Sequence, residues 1–225
     1  MKRRTYSGLV LVLCAALAAP CFGGAIVDRV VASVNGNVLL QSDWEQELAF
    51  EALLNARPVD SFTSAERKAA FDRLIDRELL REQVRPSEGA PAESVTARVA
   101  EVRKLHADAA TDEGWRTVLQ RHGLTQTALE KRLADERQMM RLVEARLRPS
   151  IQIDQHAVET YYHDELLPQL KRTGGREVAL PEVFGHIKEL LAEQRLNQLL
   201  SGWLATLRSA SHIQTPPSNT GDQNR

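Results

Sequence analysis

A β-hairpin pattern near the start of the chain most limits what this sequence can fold into. In IVDRVVASVNGNVLLQSD, residues 26–43, the side chains of Val30, Ala32 and Val34 share one face because strands alternate with a period of two. The dipeptide Asn35-Gly36 suits the positive φ angles of a tight type I′ turn, and an apolar return strand follows it. An isolated two-stranded ribbon is only marginally stable in water. The hairpin must therefore pack on the rest of the chain, which has mainly helical patterns.

The segment before the hairpin has the pattern of an export signal. A basic start, MKRR, precedes an apolar stretch at 8–19, and small residues at 23–25 offer a cleavage position. The apolar stretch is shorter than the roughly 20 residues of a membrane span. We therefore predict a signal peptide over 1–24, cleaved near residues 23–25, and a mature protein in the periplasm. An uncleaved anchor and a lipid on Cys21 are the alternatives.

Composition argues against several functional classes. The 29 basic and 30 acidic residues give a formal net charge of -1, which offers no strong field to collect nucleic acid, so no nucleic-acid partner is expected. Both cysteines, Cys14 and Cys21, lie in the predicted signal peptide, so the mature chain would have no disulfide and no thiol nucleophile. Nucleophile-elbow, zincin, phosphate-loop and CxxC motifs are absent from the sequence. We therefore expect neither an enzyme nor a cofactor.

Capping residues and apolar stripes predict about six helices after the hairpin. Thr63 and Glu66 match a capping box, and Thr125 is placed to cap a long helix. The glycine pair at 174–175 marks a loop within 171–181, and a last long helix follows it. A short strand is predicted at 211–215. The apolar line of the long helix is predicted to comprise Leu129, Leu133, Met140, Val143 and Leu147.

Four blocks of sequence, taken in order, resemble the SurA-type periplasmic chaperones. They are DRVVASVNGNVLLQSD at 28–43, FDRLIDRELLREQ at 71–83, the stretch from VLQRHGLTQTALEKRL to HAVETYY at 118–162, and EQRLNQLLSGWLATLR at 193–208. Together they span nearly all of the predicted mature chain. The resemblance implies a mainly α fold, a SurA-like chaperone core of about six helices. Its small β element would combine the N-terminal hairpin with a strand after the last helix.

One large departure from the family concerns its enzymatic part. Members of this family usually carry one or two parvulin-type prolyl isomerase domains between the Tyr-containing helix and the last helix. In this chain that interval is only 163–180, which is too short for a domain. The resemblance therefore implies a chaperone core that lacks the isomerase.

The predicted organisation has five parts. They are a signal peptide at 1–24, a SurA-like N-terminal chaperone region at 25–165, a linker at 166–181 where the parvulin domain is absent, a C-terminal helix and strand at 182–214 that complete the same module, and a disordered tail at 215–225.

The function that the resemblance implies is ATP-independent chaperoning. Unfolded or extended polypeptides, above all precursors of outer-membrane proteins, would be held in a partly apolar cleft between helices. A folding factor related to the prolyl isomerases and an adaptor that binds one fixed partner are the alternatives. A homodimer formed by exchange of terminal elements is also open.

Five side chains are candidates for client binding: Trp44, Met139, Met140, Tyr161 and Tyr162. Adjacent methionines on a helix cannot face the same way. If Met140 joins the apolar line, Met139 points elsewhere, and flexible thioethers suit surfaces that accept many apolar partners. Trp115 and Trp203 are expected to be core anchors.

Charged and imidazole groups on two helices have an ordinary and a functional interpretation. His156, Glu159 and His163 follow steps of three and four, so a metal site is conceivable. A solvated helix face is the simpler interpretation, and no metal is expected. The mixed charges between 132 and 148 predict a solvent face with helix ion pairs. Their functional alternative is a polar rim beside a client groove.

Overall fold

The computed structural model describes residues 28–84 and 92–216. The predicted signal peptide and most of the predicted tail lie outside this part and stay predictions. The elements are, in chain order, β1 (Val30–Val34), β2 (Asn37–Leu40), α1 (Gln41–Leu54), α2 (Ser64–Gln83), α3 (Ala92–Lys104), α4 (Asp112–Arg121), α5 (Gln126–Leu147), α6 (Gln155–Tyr161), α7 (Leu167–Thr173), α8 (Leu180–Ala210) and β3 (Ile213–Gln214). The mainly α fold with a small β element is confirmed.

The hairpin and its turn are confirmed, but Val30, predicted to share a face with Ala32 and Val34, is 42% exposed, since the register of the pairing shifts between Val30 and Ala32. Strands β1 and β2 pair antiparallel, with Val34 opposite Asn37. Asn35 has a φ of 50° and Gly36 a φ of 91°, the two left-handed conformations that a type I′ turn requires.

The last strand completes a sheet in the order β2-β1-β3. Strand β3 pairs antiparallel with β1, which places Val34 opposite Ile213 and Ser33 opposite Gln214. The two ends of the described chain are therefore joined by backbone hydrogen bonds, as the resemblance implies. One face of this sheet packs on α2 through a buried apolar cluster, formed by Ala32, Val34, Leu39, Leu74, Ile75 and Leu79.

Helices α1 and α2 form an antiparallel pair that carries the sheet. Thr63 accepts a hydrogen bond from the backbone N–H of Glu66, and the Glu66 carboxylate accepts one from the backbone N–H of Thr63. The predicted capping box at the start of α2 is thus present. The indole N–H of Trp44 donates to the carbonyl of Arg67 at 3.0 Å and fixes the crossing of the two helices.

A second core joins α3, α4 and the first half of α5 to the end of α1. Its buried members are Phe50, Leu53, Val95, Val99, Val102, Ala109, Trp115, Val118, Leu119, Leu129 and Leu133. Trp115 is a core anchor, as predicted, and its indole N–H donates to Gln126 Oε1 at 2.8 Å. The Thr125 hydroxyl caps α5 by accepting from the N–H of Ala128. The α5 helix therefore begins inside this core and then leaves it.

Beyond α5 the chain forms an arm that returns along α8. Helix α6 continues through a π turn (Tyr162–Leu166) into α7, and the arm packs on α8 around the buried Val158, Tyr162 and Ile187. Only residues 174–179 connect α7 to α8, so the interval predicted as a linker, 166–181, is helical in its first half. The left-handed Gly174, at φ 66°, ends α7.

Ion pairs attach α8 to the rest of the molecule at both ends. Near its C-terminal end, Arg208 donates to Asp76 at 2.6 Å and to the carbonyl of Asp72 at 2.8 Å. In the N-terminal half of α8, Glu189 and Glu193 both form ion pairs with Arg148, the residue that follows α5. Trp203, predicted as a core anchor, is half-buried, and the Arg146 guanidinium lies 4.7 Å from its ring.

One predicted core position is wrong. Met140 was expected on the apolar line of α5, yet its side chain is 50% exposed, whereas Leu129, Leu133 and Val143 are buried. The reason is that α5 leaves the core of α3 and α4 before it reaches α8. Met140 falls on this uncovered stretch, and its neighbour Met139 is the one that turns half-buried toward α1 and α2.

Candidate functional site

A cleft of about 620 Å³ lies between β2, α1 and α2 on one side and α5 on the other. Its lining is partly apolar and partly charged. Among the apolar side chains are Val38, Phe50, Val84, Leu124 and Met139, and the charged ones are Asp43, Glu47, Arg77, Glu78, Arg81, Lys131, Arg132 and Asp135. Val38 on β2 is 53% exposed, so this wall offers apolar surface to a ligand.

The centre of the charged lining is Glu47, a buried carboxylate on α1. Its side chain is only 5% exposed, and it pairs with Arg77 of α2 and with Arg132 of α5, the latter at 2.9 Å. The Arg132 guanidinium also lies 4.7 Å above the ring of Phe50. A buried carboxylate held by arginines of two other helices ties α1, α2 and α5 together, because removal of Glu47 would take away the anion that both arginines share.

A second carboxylate competes for the same arginine. Glu136, one turn after Arg132 on α5, contacts the Nη2 atom of Arg132 at 3.2 Å, the nitrogen that also serves Glu47. Burial, followed by the charge of Glu47, raises the pKa of Glu136 to about 7 from an ordinary 4.5. The opposing influence of Arg77 and Arg98 is smaller. Burial therefore favours the neutral form of Glu136, whereas its contact with Arg132 favours the ionised form.

The remaining charged side chains of the cleft are also paired. Glu78 is buried on α2 and accepts two hydrogen bonds from Arg81, and the exposed Lys131 donates to Asp135 at 2.7 Å. Asp43 accepts from the backbone N–H of Leu40 and caps α1. Since each charge has a partner, the cleft presents little unbalanced charge to an incoming chain.

The predicted client-binding residues are not brought together. Trp44 is half-buried, packs edge-on against Phe71 and belongs to the core between the sheet and α2. Met139 lines the cleft, and Met140 is exposed beside it. Client contact at these positions stays a prediction.

Tyr161 and Tyr162 lie in the arm, away from the cleft lining. Tyr162 is only 7% exposed, and its hydroxyl donates to the carbonyl of Val178 at 2.8 Å. Tyr161 is half-buried against the same cluster. These side chains hold the arm together, and the buried Tyr162 offers almost no surface for a client.

The residues at the centre of the cleft were not predicted from the sequence. The charges from 132 to 148 were predicted to form a solvent face, and for Arg132 this is wrong, because its guanidinium turns inward to Glu47.

A second cleft, of about 600 Å³, lies between the connection after α1, the connection between α3 and α4, and the end of α4. Two histidines line it, but their ring nitrogens contact backbone carbonyls, with His106 at Leu53 and His122 at both Val118 and Arg57. These imidazoles therefore hold chain segments together.

Within residues 28–84 and 92–216, no three His, Cys, Asp or Glu side chains are grouped so that they could hold a metal ion. His156 and His163 are exposed on the arm. No helix among the described residues has the length and apolar character to cross a membrane.

The architecture defines a helical module whose sheet joins the first and last strands of the described residues. Residues 1–143 match the family model described as the SurA-like N-terminal domain. This match covers more than half of the chain, so the chain belongs to the SurA-like N-terminal domain family. No curated protein matches the chain.

Proposed function

We propose that this protein is an ATP-independent chaperone of the periplasm that holds unfolded segments of outer-membrane proteins in the cleft between β2, α1, α2 and α5. The observation that carries the proposal is the cleft itself, which is open, partly apolar and of peptide-binding size in a member of this family.

The lining of the cleft favours weak binding of many sequences. An extended segment would bury apolar surface against Val38 and Met139, worth roughly 25 cal/mol for each Å² removed from water. The charged side chains are already paired within the cleft, so they do not require a charged partner on the client. Such a site gains affinity from the apolar area that is buried, and its paired charges add little selectivity for sequence. These properties suit a carrier that must also release its client.

The proposal is tested by suppression of aggregation. An unfolded β-barrel protein is diluted from urea without nucleotide, and we expect the purified protein to suppress light scattering at a near-stoichiometric ratio. The double variant Val38→Ser, Met139→Ser should lose this effect several-fold. The matched control is Leu190→Ser, an exposed leucine on α8 outside the cleft lining, which should act like the unsubstituted protein. Absence of suppression across several barrel clients would reject the proposal.

We also propose that the protein has no prolyl isomerase activity. The short connection 174–179 between α7 and α8 supports this, since an isomerase domain would have to be inserted there by analogy with the family. Isomerisation of a prolyl peptide should proceed at the uncatalysed rate.

The periplasmic location depends on the predicted signal peptide. Cell fractionation should place the protein in the periplasm, with a mature N-terminus near residues 23–25 by mass spectrometry. A single strong partner in a pull-down from that fraction would favour the adaptor alternative over a carrier of many clients.

A further inference from the structure

The outer edge of β2 lies along the cleft. The sheet has the order β2-β1-β3, so β2 pairs with β1 on one side only. Val38 and Leu39 both line the cleft, although neighbouring side chains of a strand point to opposite faces of the sheet. A cleft that reaches both side chains therefore runs along the edge of the strand, where a bound chain can contact its backbone.

The register of the hairpin shows which backbone groups of β2 point toward this edge. Val34 and Asn37 flank the two-residue turn and form a hydrogen-bonded pair, so Ser33 and Val38 form the next, non-hydrogen-bonded pair. The backbone N–H and C=O of Val38 consequently point away from β1.

The pairing on the other side of β1 agrees with this assignment. The backbone N–H of Asn35 donates to the carbonyl of His212, next to β3, and Ser33 lies opposite Gln214 of β3. Asn35 and Ser33 are two positions apart, so both turn their backbone groups toward β3. Val38, the partner of Ser33 on β2, is therefore turned to the open edge.

The open part of this edge is one residue long. Among the described residues, no hydrogen bond outside the β1–β2 pairing involves the N–H or C=O of Val38, and this residue is 53% exposed. The next outward N–H, that of Leu40, is already bound to the carboxylate of Asp43 at 2.8 Å. Unpaired groups at a strand edge are a template for another extended chain.

We propose that a client segment binds in the cleft as a short extra strand beside β2 and exchanges two backbone hydrogen bonds with Val38. This binding mode rests on the proposed chaperone function and names the contact by which the same cleft binds its client. The occupant is an uncharged, extended segment. The charged side chains of the lining comprise four acids and four bases, which leaves no excess charge for a charged segment to complement.

Strand pairing also determines where the side chains of the client lie. The client residue opposite Val38 shares a face with the Val38 side chain, and its two neighbours point to the face of Leu39. Segments that alternate apolar and polar residues, as the strands of membrane β-barrels do, can thus turn one kind of side chain toward the cleft. Backbone hydrogen bonds accept many sequences, but a proline opposite Val38 is excluded because it has no N–H.

Peptide binding tests the need for backbone donors on the client. The probe is a fluorescein-labelled peptide of about ten residues in which valine and serine alternate, and its binding to the full chain is measured by fluorescence anisotropy. The comparison peptide has the same side chains and a methyl group on every backbone nitrogen. We expect it to bind at least about fivefold more weakly. Equal binding of the two peptides, or binding of neither, would overturn the proposal.

Two variants of Val38 separate its backbone from its side chain. Val38→Pro removes the outward N–H, and an edge strand tolerates proline where this N–H faces solvent. Val38→Thr keeps the N–H and the branched shape. We expect Val38→Pro to weaken peptide binding at least about fivefold and Val38→Thr to weaken it clearly less, with circular dichroism and thermal melting as tests of folding. Equal losses in the two variants would overturn the pairing.

Amide hydrogen exchange needs no substitution and decides the question if Val38→Pro does not fold. By NMR, the Val38 N–H should exchange rapidly in the free protein and at least about tenfold more slowly with saturating peptide. The N–H of Asn35, which is bound to His212, should exchange slowly in both. A Val38 N–H that is slow in the free protein, or that stays fast with peptide bound, would overturn the pairing.

The aggregation assay distinguishes this binding mode from the proposed function itself. A folded Val38→Pro variant that suppresses aggregation as well as the unsubstituted chain would reject strand pairing and leave the chaperone function standing. Absence of suppression by the unsubstituted chain would reject the chaperone function and the binding mode together.

Discussion

The side-chain oxygen of Asn35 accepts a hydrogen bond from the backbone N–H of His212 at 2.8 Å. The backbone N–H of Asn35 donates in turn to the carbonyl of His212 at 2.9 Å. These two bonds join the turn of the first hairpin to the start of the last strand. The Asn35 amide also donates to Glu82 at the end of α2, so one turn residue connects both ends of the chain to a helix.

We predict that Asn35→Gly destabilises the protein although it keeps the turn. Glycine adopts the φ of 50° without strain, so the loss reports the side-chain bonds to His212, Ser211 and Glu82. A decrease of about 1–2 kcal/mol in the free energy of unfolding is expected, measured by urea denaturation. Asn55→Gly, at the end of α1, is a comparison position where an asparagine bonds only locally. An equal loss at both positions would argue against a special role for Asn35.

Removal of the last strand should unfold the module. A chain that ends at Ser209 lacks β3, the apolar contact of Ile213 with the sheet core, and the three hydrogen bonds that join Asn35 to Ser211 and His212. We expect its thermal transition to be lost or shifted far down. A chain that ends at Pro216 keeps β3 and should melt like the full-length protein. Unchanged melting of the shorter chain would show that closure by the two ends is dispensable.

Local signals explain why the hairpin and the caps were predictable. Asn35-Gly36 and the Thr63-Glu66 pair act over two to four residues, and their conformations depend little on the rest of the chain. The pairing of β1 with β3 spans most of the chain, and it was predicted only through the family resemblance.

The residues that line the cleft depend on which helices pack together. Met140 has helical spacing that fits a core position, but its side chain is 50% exposed, and its neighbour Met139 is the one that lines the cleft. Glu47 and Arg132 are 85 positions apart, and no periodicity shows that they form a pair. The site was therefore missed because it is made by packing between elements.

The buried carboxylate of Glu47 should be the most sensitive position in the cleft. Glu47→Gln leaves Arg77 and Arg132 without their shared anion in the contact between three helices. Breaking a buried pair by removing one partner typically costs about 3–5 kcal/mol. Asp135→Asn breaks the exposed pair with Lys131 and should cost roughly 0–1 kcal/mol. Comparable losses in urea denaturation would mean that Glu47 is better solvated than its contacts indicate.

The loss of stability at acidic pH should depend on the capping box of α2. The backbone N–H of Thr63, followed by the side chain of Arg57, lowers the pKa of Glu66 to about 2 from 4.5. A carboxylate whose pKa is lowered in the folded protein stabilises the fold at pH values above its pKa in the unfolded chain, 4.5. This stabilisation disappears as the pH falls from 4.5 through 2. The stability difference between the unsubstituted chain and Glu66→Gln should therefore be constant near pH 6 and shrink in acid. A difference that persists at pH 2 would contradict this origin.

The opposite sign is expected for Glu136. Its pKa of about 7 lies above the ordinary 4.5, so the folded protein prefers the protonated form. The resulting stabilisation is complete below 4.5 and is lost as the pH rises through 7. We expect the melting temperature of the unsubstituted chain to fall between pH 5 and pH 8 relative to that of Glu136→Gln, whose amide keeps the neutral state throughout. Glu66 and Glu136 act in separate pH ranges. The double variant Glu66→Gln, Glu136→Gln should therefore lose the pH dependence of stability in both the acidic and the neutral range, as the sum of the two single variants. A neutral-range slope that survives in Glu136→Gln would assign the proton to another group.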